Sequence, residues 1–208
     1  MPGEDVLLGG ESPVDPKAGA NPRDRGPLVS EQLSARSSAQ ARVVFDTFRS
    51  TDDPMLASWL SFRARILPAE TGQGVVAPRA SGPVARGGMY GVWRLLATNN
   101  RELGRGTWLY PAPDDAWADA EVLSARAGEL SPTTVRGDVP TRHAWALRLG
   151  GLPVLISSRW YESPGEAAAA ARAARDHLGR AHIARVVNIG TRSGRRYRQV
   201  REEVPLLG

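Results

Sequence analysis

Two stretches near the middle of the chain repeat the same order of apolar and polar positions. WRLLATNNRELGRGTW begins at residue 93 and WALRLGGLPVLISSRW begins at residue 145, and the two align without a gap. The aligned pairs are Trp93 with Trp145, Leu95 with Leu147, Leu103 with Leu155 and Trp108 with Trp160. Because Trp is a rare residue, two Trp coincidences in one register predict an internal duplication.

Each copy has the pattern of a hairpin, with two apolar runs on either side of a turn. The turn residues are Asn99 and Asn100 in the first copy, and Gly150 and Gly151 in the second. Asn and Gly tolerate the left-handed backbone that tight hairpin turns require. The sequence therefore predicts two strands in each copy.

A helix is expected after each hairpin. In the second copy Ser163, Pro164 and Glu166 form the pattern of a capping box, and the helix should end near Gly179. In the first copy either Asp114 or Asp115 is expected to cap a helix that stops at Gly128. The order is thus strand, strand, helix, twice, with residues 128–141 as the connection.

A lone hairpin is marginally stable, so the copies should combine their strands in one sheet. We predict an α+β fold: a four-stranded antiparallel sheet with two helices on one face, plus an N-terminal helical segment. Trp93 and Trp145 belong to the strand face that meets the helices. The opposite face is expected to carry no helix.

The flanking regions differ in composition. Asp53 and Pro54 start a helix whose apolar spacing continues to Pro68, whereas the stretch around Val43 and Phe48 fits either helix or strand, with helix favoured. The predicted organisation is a disordered tail (1–29), an N-terminal helical segment (30–68), a Gly/Pro linker (69–88), the first repeat (89–130), the second repeat (131–182) and a basic C-terminal hairpin (183–208).

The repeated pattern resembles a known family. A W-x-L strand, a turn with Asn or Gly, a second apolar strand, Tyr161, Ser163 and an Ala-rich helix are similar to the YegP-like repeat, a small bacterial domain often found in tandem. The likeness covers residues 93–127 and 145–179. The first copy departs from the pattern ahead of Tyr110. The resemblance implies a fold and no particular chemistry, because that family has no established activity.

The composition of the chain limits the classes of protein to which it could belong. The chain of 208 residues has no Cys and no apolar run long enough to cross a bilayer, so we expect a cytoplasmic protein with no membrane partner. Its net charge is +5, and Lys17 is the single lysine among 27 basic residues. Such an Arg excess is typical of GC-rich coding sequence. The position of each Arg is therefore more informative than the total.

Catalytic and metal-binding patterns are absent from the sequence. His177 and His182 are five residues apart, whereas a helical pair of metal ligands needs a spacing of three or four. No phosphate-binding loop, nucleophile elbow or dinucleotide fingerprint occurs. We therefore expect no metal, no cofactor and no enzymatic activity.

Two groups of residues are candidates for binding. The first is concentrated around a turn at Ser193 and Gly194, and it can either contact nucleic-acid phosphates and bases or solvate a sheet edge. Its members are Arg192, Arg195, Arg196, Tyr197, Arg198 and Arg201. The second group, Trp108, Trp160 and Tyr161, either lines a groove or oligomer interface or closes the hairpin ends against the helices.

These patterns favour a non-catalytic interaction or scaffolding module. Its partner would be another protein or a second copy, which would bind on the sheet face that carries no helix. The alternative is a nucleic-acid-binding accessory protein that uses the Arg-rich C-terminal hairpin.

Overall fold

The computed structural model describes residues 40–48, 53–70, 76, 90–190 and 196–200, the last of these for the backbone alone. The strands are β1 (Arg42–Thr47), β2 (Gly91–Leu96), β3 (Glu102–Gly106), β4 (Ser131–Arg136), β5 (His143–Leu149), β6 (Leu152–Ser157), β7 (His182–Gly190) and β8 (Arg196–Val200). The helices are α1 (Pro54–Ile66), α2 (Pro113–Ala125) and α3 (Pro164–Leu178), and short 3-10 turns cover Pro68–Glu70 and Ala127–Glu129.

All strands belong to one sheet. Strands β1 to β7 lie in the order β4-β5-β6-β3-β2-β1-β7, and β8 pairs along the outer edge of β7. Neighbouring strands are antiparallel except β1 and β7, which are parallel. The chain is α+β, but the prediction of a four-stranded antiparallel sheet with two helices is wrong. The sheet is larger and mixed, and three helices pack on it.

Strand β1 replaces part of the predicted N-terminal helical segment. Val43, Val44 and Phe45 are all buried, because β1 lies inside the sheet and is covered on both faces. A strand buried on both faces has a continuous apolar run and lacks the alternation that identifies a strand in sequence. The helix expected at this position is therefore wrong, whereas α1 begins after the Asp53 cap as predicted.

Strand β4 lies within the stretch that was expected to be a connection. His143 of β5 exchanges both backbone hydrogen bonds with Tyr161 on one side, at 2.8 and 2.7 Å. In an antiparallel ladder the backbone N–H and C=O groups of successive residues point to alternate sides of the strand. Those of Ala146 and its partner Thr133 therefore point toward each other, and the backbone nitrogen of Pro132 points away from β5. A Pro at this outward position removes no ladder hydrogen bond, so β4 can form an edge strand.

The predicted turns and two of the three predicted caps are present. Asn100, Gly150 and Gly151 have φ values of 63°, 57° and 87° in the β2–β3 and β5–β6 turns. The Ser163 hydroxyl accepts a hydrogen bond from the Glu166 N–H, and α3 ends at Gly179 as expected. The cap predicted for α2 is wrong. Its N-cap is Ala112, whose methyl side chain cannot accept a hydrogen bond from the helix. Asp114 and Asp115 lie within the first turn.

Helices α2 and α3 lie on the sheet face that carries Trp93 and Trp145. Both Trp side chains are fully buried there, in a cluster with apolar residues of the two helices. Strand β3 passes beneath them through Gly104 and Gly106. A Cβ at Gly104 would lie 2.8 Å from the Trp145 ring, and one at Gly106 would lie 2.7 Å from the Trp93 indole nitrogen. The two glycines therefore make room for the two Trp rings.

Helix α1 packs on the opposite face. Leu56 and Trp59 join a cluster with Val92 of β2, and Ile66 joins a second cluster with Ala144 of β5. The expectation of a sheet face without helices is therefore wrong, and the docking site that we assigned to that face is covered in part by the chain itself.

The two halves of the sheet follow the same order. Strands β1, β2 and β3 are followed by α2, and strands β4, β5 and β6 are followed by α3. The halves meet where β3 pairs antiparallel with β6, with Gly104 opposite Ser157. Trp93 and Trp145 occupy corresponding places in the two halves. The origin of the halves in a duplication stays a prediction.

Candidate functional site

One end of the sheet brings together Arg and aromatic side chains. Strands β4 and β5 are joined by a turn at residues 137–142, and the chain leaves β6 beside it. We call this region the Arg–aromatic surface. It consists of Arg136, Arg142, Arg159, Trp160 and Tyr161. These residues lie around the end of the sheet, with Tyr161 on the α2/α3 face and Trp160 on the α1 face.

Strand pairing fixes the first part of this surface. Arg136 lies opposite His143, and His143 lies opposite Tyr161 on its other side, so the three residues form a row across the sheet. Two strand spacings separate the ends of the row, or roughly 10 Å. The Arg159 guanidinium lies 4.8 Å from the centre of the Tyr161 ring. The Trp145 indole donates to the Tyr161 hydroxyl at 3.4 Å, which orients the ring.

Trp160 is held on the side of the sheet where α1 lies. Its ring meets Phe62 of α1 edge to face, with centroids 5.6 Å apart. Gly137 lies so close that a Cβ there would be 2.9 Å from the Trp160 ring and 3.0 Å from the Arg142 Cβ. Trp160 and Tyr161 are both partly buried. Each ring is thus anchored by the core and keeps some exposed surface.

The surface is positively charged. Arg136, Arg142 and Arg159 are exposed, and none of them takes part in an ion pair between described residues. Asp138 in the turn and Glu162 after Tyr161 are the acidic residues nearest in the chain, and both are exposed. Sequence reasoning found Trp160 and Tyr161 but missed the three Arg residues, because β4 was not recognised as a strand that places Arg136 beside them.

A second charged group lies within the sheet. Asp46 is buried and accepts from Arg94 at 2.6 Å and from the Asn188 amide at 2.8 Å. Arg94 also pairs with Glu102 at 2.6 Å, and Arg105 pairs with the same carboxylate. These ion pairs and hydrogen bonds connect β1, β2, β3 and β7, so the group links four strands of the sheet.

Trp108 is half-buried against the core cluster that contains Trp93, and Arg63 of α1 lies near its ring. The Arg63 guanidinium lies 5.7 Å from the Trp108 ring centre and donates through Nε to the Thr107 carbonyl at 2.8 Å. Arg63 is buried, and burial lowers its pKa while the charge of Glu70 opposes that shift. Adjacent residues of α1, Phe62 and Arg63, thus contact Trp160 and Trp108. The groove between the two copies that Trp108 and Trp160 are expected to line stays a prediction.

Tyr110 is another buried polar residue. Its hydroxyl donates to the Asp119 carboxylate of α2. Burial raises the pKa of Tyr110 well above its ordinary value, and the negative charge of Asp119 raises it further. The hydroxyl therefore stays protonated and ties the segment after β3 to α2.

The Arg-rich C-terminal hairpin is described in part. Strands β7 and β8 pair antiparallel, with Asn188 opposite Arg198 and Gly190 opposite Arg196, while Tyr197 lies between them in β8. Arg192, Arg195 and Arg201 lie outside the described residues, as do the turn at 193–194 and the predicted tail at 1–29. The binding role of this hairpin stays a prediction.

The described residues contain no group of three or more His, Cys, Asp or Glu side chains that could hold a metal ion. No helix in the described part of the chain is long and apolar enough to span a bilayer. No family model, curated protein or solved structure matches the chain. The resemblance to the YegP-like repeat therefore stays a prediction.

Proposed function

We propose that the chain is a non-catalytic interaction module that binds its partner through the Arg–aromatic surface. The observation that carries this proposal is the position of Arg159 over the Tyr161 ring, at the end of a row that Arg136 begins. Trp160 lies at the same end of the sheet, on the α1 face. Trp, Tyr and Arg are the residues most enriched where binding energy is concentrated. Phe62 holds the Trp160 ring and Trp145 holds the Tyr161 ring, so these two side chains lose little freedom when a partner binds.

Several polar groups that could serve in catalysis have structural partners instead. Asp46 and Glu102 neutralise Arg94 within the sheet, and Ser158 donates to the Glu102 carbonyl at 3.0 Å. The Ser157 hydroxyl accepts from the Trp145 backbone N–H at 3.4 Å. These contacts support a binding role over an enzymatic one.

The charge of the surface favours an acidic partner over a second copy of the chain. In a two-fold dimer the same patch of both copies would meet, which would bring Arg136, Arg142 and Arg159 of one copy against those of the other. Like charges at a contact are unfavourable. Self-association through this surface is therefore not part of the proposal.

Site-specific photo-crosslinking tests the proposal. Val139 lies in the 137–142 turn and is 40% exposed, whereas Val122 lies on α2 and is 42% exposed. We expect benzoylphenylalanine at position 139, introduced in cells that express the chain, to form a discrete covalent adduct. The same group at position 122 should not form that adduct, because α2 is remote from the surface.

An absence of adducts at position 139, or identical adducts at both positions, would contradict a binding role for this surface. Digestion of the adduct with nuclease or with protease gives the class of the partner. Neither result of the digestion alters the conclusion that the surface binds.

A second candidate function is nucleic-acid binding through the C-terminal hairpin. It is favoured by the β7–β8 pairing, which places Arg196 and Arg198 on one short edge strand. If these residues contact phosphates, changing Arg195, Arg196 and Arg198 to Glu should abolish retention on heparin and remove its salt dependence. Retention of the triple variant at the parent's salt concentration would exclude this function.

A further inference from the structure

We propose that the partner of the Arg–aromatic surface is an acidic peptide segment that adds to the outer edge of β4 as a further strand. This inference rests on the proposed function, because it names the class of partner that the surface binds and the way in which it binds. The backbone of the edge strand supplies the recognition that the Arg and aromatic side chains alone do not provide.

The outer edge of β4 carries backbone groups that no described strand meets. In the sheet order β4 is the terminal strand, and its described partner is β5 alone. The backbone groups of Thr133 and Val135 point toward β5, so those of Thr134 and Arg136 point outward. Both outward residues are exposed, and neither N–H donates a hydrogen bond to a described residue. Such a row of N–H and C=O groups is a template for a further strand.

Pro132 limits where a further strand can pair. Its nitrogen also points outward but carries no hydrogen, so an added strand finds both donor and acceptor only at Thr134 and Arg136. These two residues are the part of β4 next to the 137–142 turn, where the Arg residues of the surface begin. A strand that pairs there is therefore placed beside the positive charge.

The Arg residues of this end lie on both faces of the sheet, which fits the alternation of an added strand. Arg136 lies opposite His143, on the α2/α3 face. Arg142 lies on the α1 face, because a Cβ at Gly137 would lie 3.0 Å from its Cβ and 2.9 Å from the Trp160 ring. Successive side chains of a strand point to opposite faces. Two consecutive acidic residues of a peptide would thus direct one carboxylate toward each Arg, and opposite charges on neighbouring strands stabilise the pairing.

Other partners fit this edge less well. A nucleic acid has no regular series of N–H and C=O groups, so it would use the Arg charges and leave the outward backbone of β4 unpaired. A second copy paired about Thr134 would place its Pro132 opposite Arg136, whose C=O would then face a residue without an N–H. Strand β4 also contains no acidic residue to meet Arg136.

NMR titration of the isotope-labelled chain with a synthetic peptide tests the mode of binding. The peptide has about ten residues, within the usual length of a strand, and consists of Thr and Val around two adjacent Glu. At millimolar peptide we expect the Thr134 and Arg136 backbone N–H resonances to shift and their exchange with solvent to slow. A peptide with Lys in place of both Glu should bind at least about threefold more weakly.

Two substitutions of one residue isolate the backbone contribution. Thr134→Pro and Thr134→Val both remove the hydroxyl, but only the first removes the outward N–H. The Pro variant should bind the acidic peptide at least about fivefold more weakly than the Val variant, since it loses a hydrogen bond and its ring obstructs the added strand. Slow exchange of the Val135 amide, which faces β5, verifies that β4 stays paired in both variants.

Pro132→Thr gives a change that a folding defect cannot imitate. It supplies the missing outward N–H, so the acidic peptide should bind about two- to tenfold more tightly than it binds the parent. For charge, changing Arg136 and Arg142 together to Gln should reduce the preference for the Glu peptide over the Lys peptide. The same change at Arg101 and Arg172, which are exposed elsewhere, should leave that preference within about twofold of the parent.

Crosslinking through position 139 separates this inference from the proposed function. Thr134→Pro should remove the adduct, whereas Thr134→Val should retain it. An adduct that persists in Thr134→Pro, or that nuclease digests and protease does not, would overturn the inference and leave the surface as a binding site. So would an acidic peptide that fails to shift Thr134 and Arg136, or that binds no better than its Lys counterpart. The absence of any adduct in the parent would contradict the proposed function, and the inference would fail with it.

Discussion

At the scale of single residues, two glycines determine how the central strand packs. Gly104 and Gly106 of β3 lie directly under the Trp145 and Trp93 rings, with no space for a Cβ. We predict that Gly104→Ala and Gly106→Ala each lower the free energy of unfolding by about 1–3 kcal/mol, the usual cost of overpacking a core. Urea denaturation measures this change.

Gly128 provides the control for these two substitutions. It has no neighbouring atom within 4 Å of an added Cβ and lies at an exposed position after α2. Gly128→Ala should leave the free energy of unfolding within about 0.5 kcal/mol of the parent. If Gly106→Ala were as harmless as Gly128→Ala, the Trp93 ring would not lie where the structure has it.

Tyr110 makes stability depend on alkaline pH. Its pKa in the folded chain is raised, first by burial and then by Asp119, whereas the pKa in the unfolded chain is about 10. Above that pH the unfolded phenol loses its proton while the folded one keeps it. The unfolded state then binds fewer protons, so stability falls as pH rises.

The variant Tyr110→Phe isolates this contribution. At pH 7 it should be less stable than the parent by about 1.5–3 kcal/mol, the range for a hydrogen bond to a charged group. Above pH 10 the difference should narrow, because only the parent carries the phenol. A constant difference from pH 7 to pH 11 in denaturant titrations would contradict the assigned pKa direction.

At the scale of elements, the two later helices start from the same backbone conformation with different caps. The N-cap of α3, Ser163, has φ −133° and ψ 154°, and the N-cap of α2, Ala112, has φ −135° and ψ 147°. A Ser at position 112 could therefore accept from the Asp115 N–H as Ser163 does from Glu166. We predict that Ala112→Ser raises the free energy of unfolding by about 1 kcal/mol and that Ser163→Ala lowers it by a similar amount.

Thermal and urea unfolding of both variants measure these changes. The two substitutions should have opposite signs. A loss of stability in Ala112→Ser would show that the start of α2 cannot accommodate a hydroxyl.

Elements with a local signal could be predicted from the sequence. Asp53 with Pro54, and Ser163 with Pro164, identify the starts of α1 and α3, and Gly150 identifies the β5–β6 turn. Strands β1 and β4 have no such signal. The first is apolar on both faces, and the second is an exposed edge strand whose Pro and Gly neighbours are typical of a linker.

At the scale of the whole molecule, the strand order and the residues of the candidate site depend on pairing between distant segments, which the sequence pattern does not indicate. The parallel contact of β1 with β7 joins residues that are far apart in the chain, and it has no turn or spacing to identify it. The same holds for the candidate site. Trp160 and Tyr161 were predicted, but Arg136 becomes their neighbour through the β4–β5 pairing alone.

The most direct test of the Arg–aromatic surface is photo-crosslinking in charge variants of the chain. With benzoylphenylalanine at position 139, we predict that changing Arg136, Arg142 and Arg159 together to Gln removes the adduct, because these exposed residues lie in or close to the 137–142 turn. The same change at Arg101, Arg172 and Arg180, which are exposed elsewhere on the molecule, should leave the adduct. An adduct that persists when the three surface Arg residues are changed would show that this surface is not the binding site.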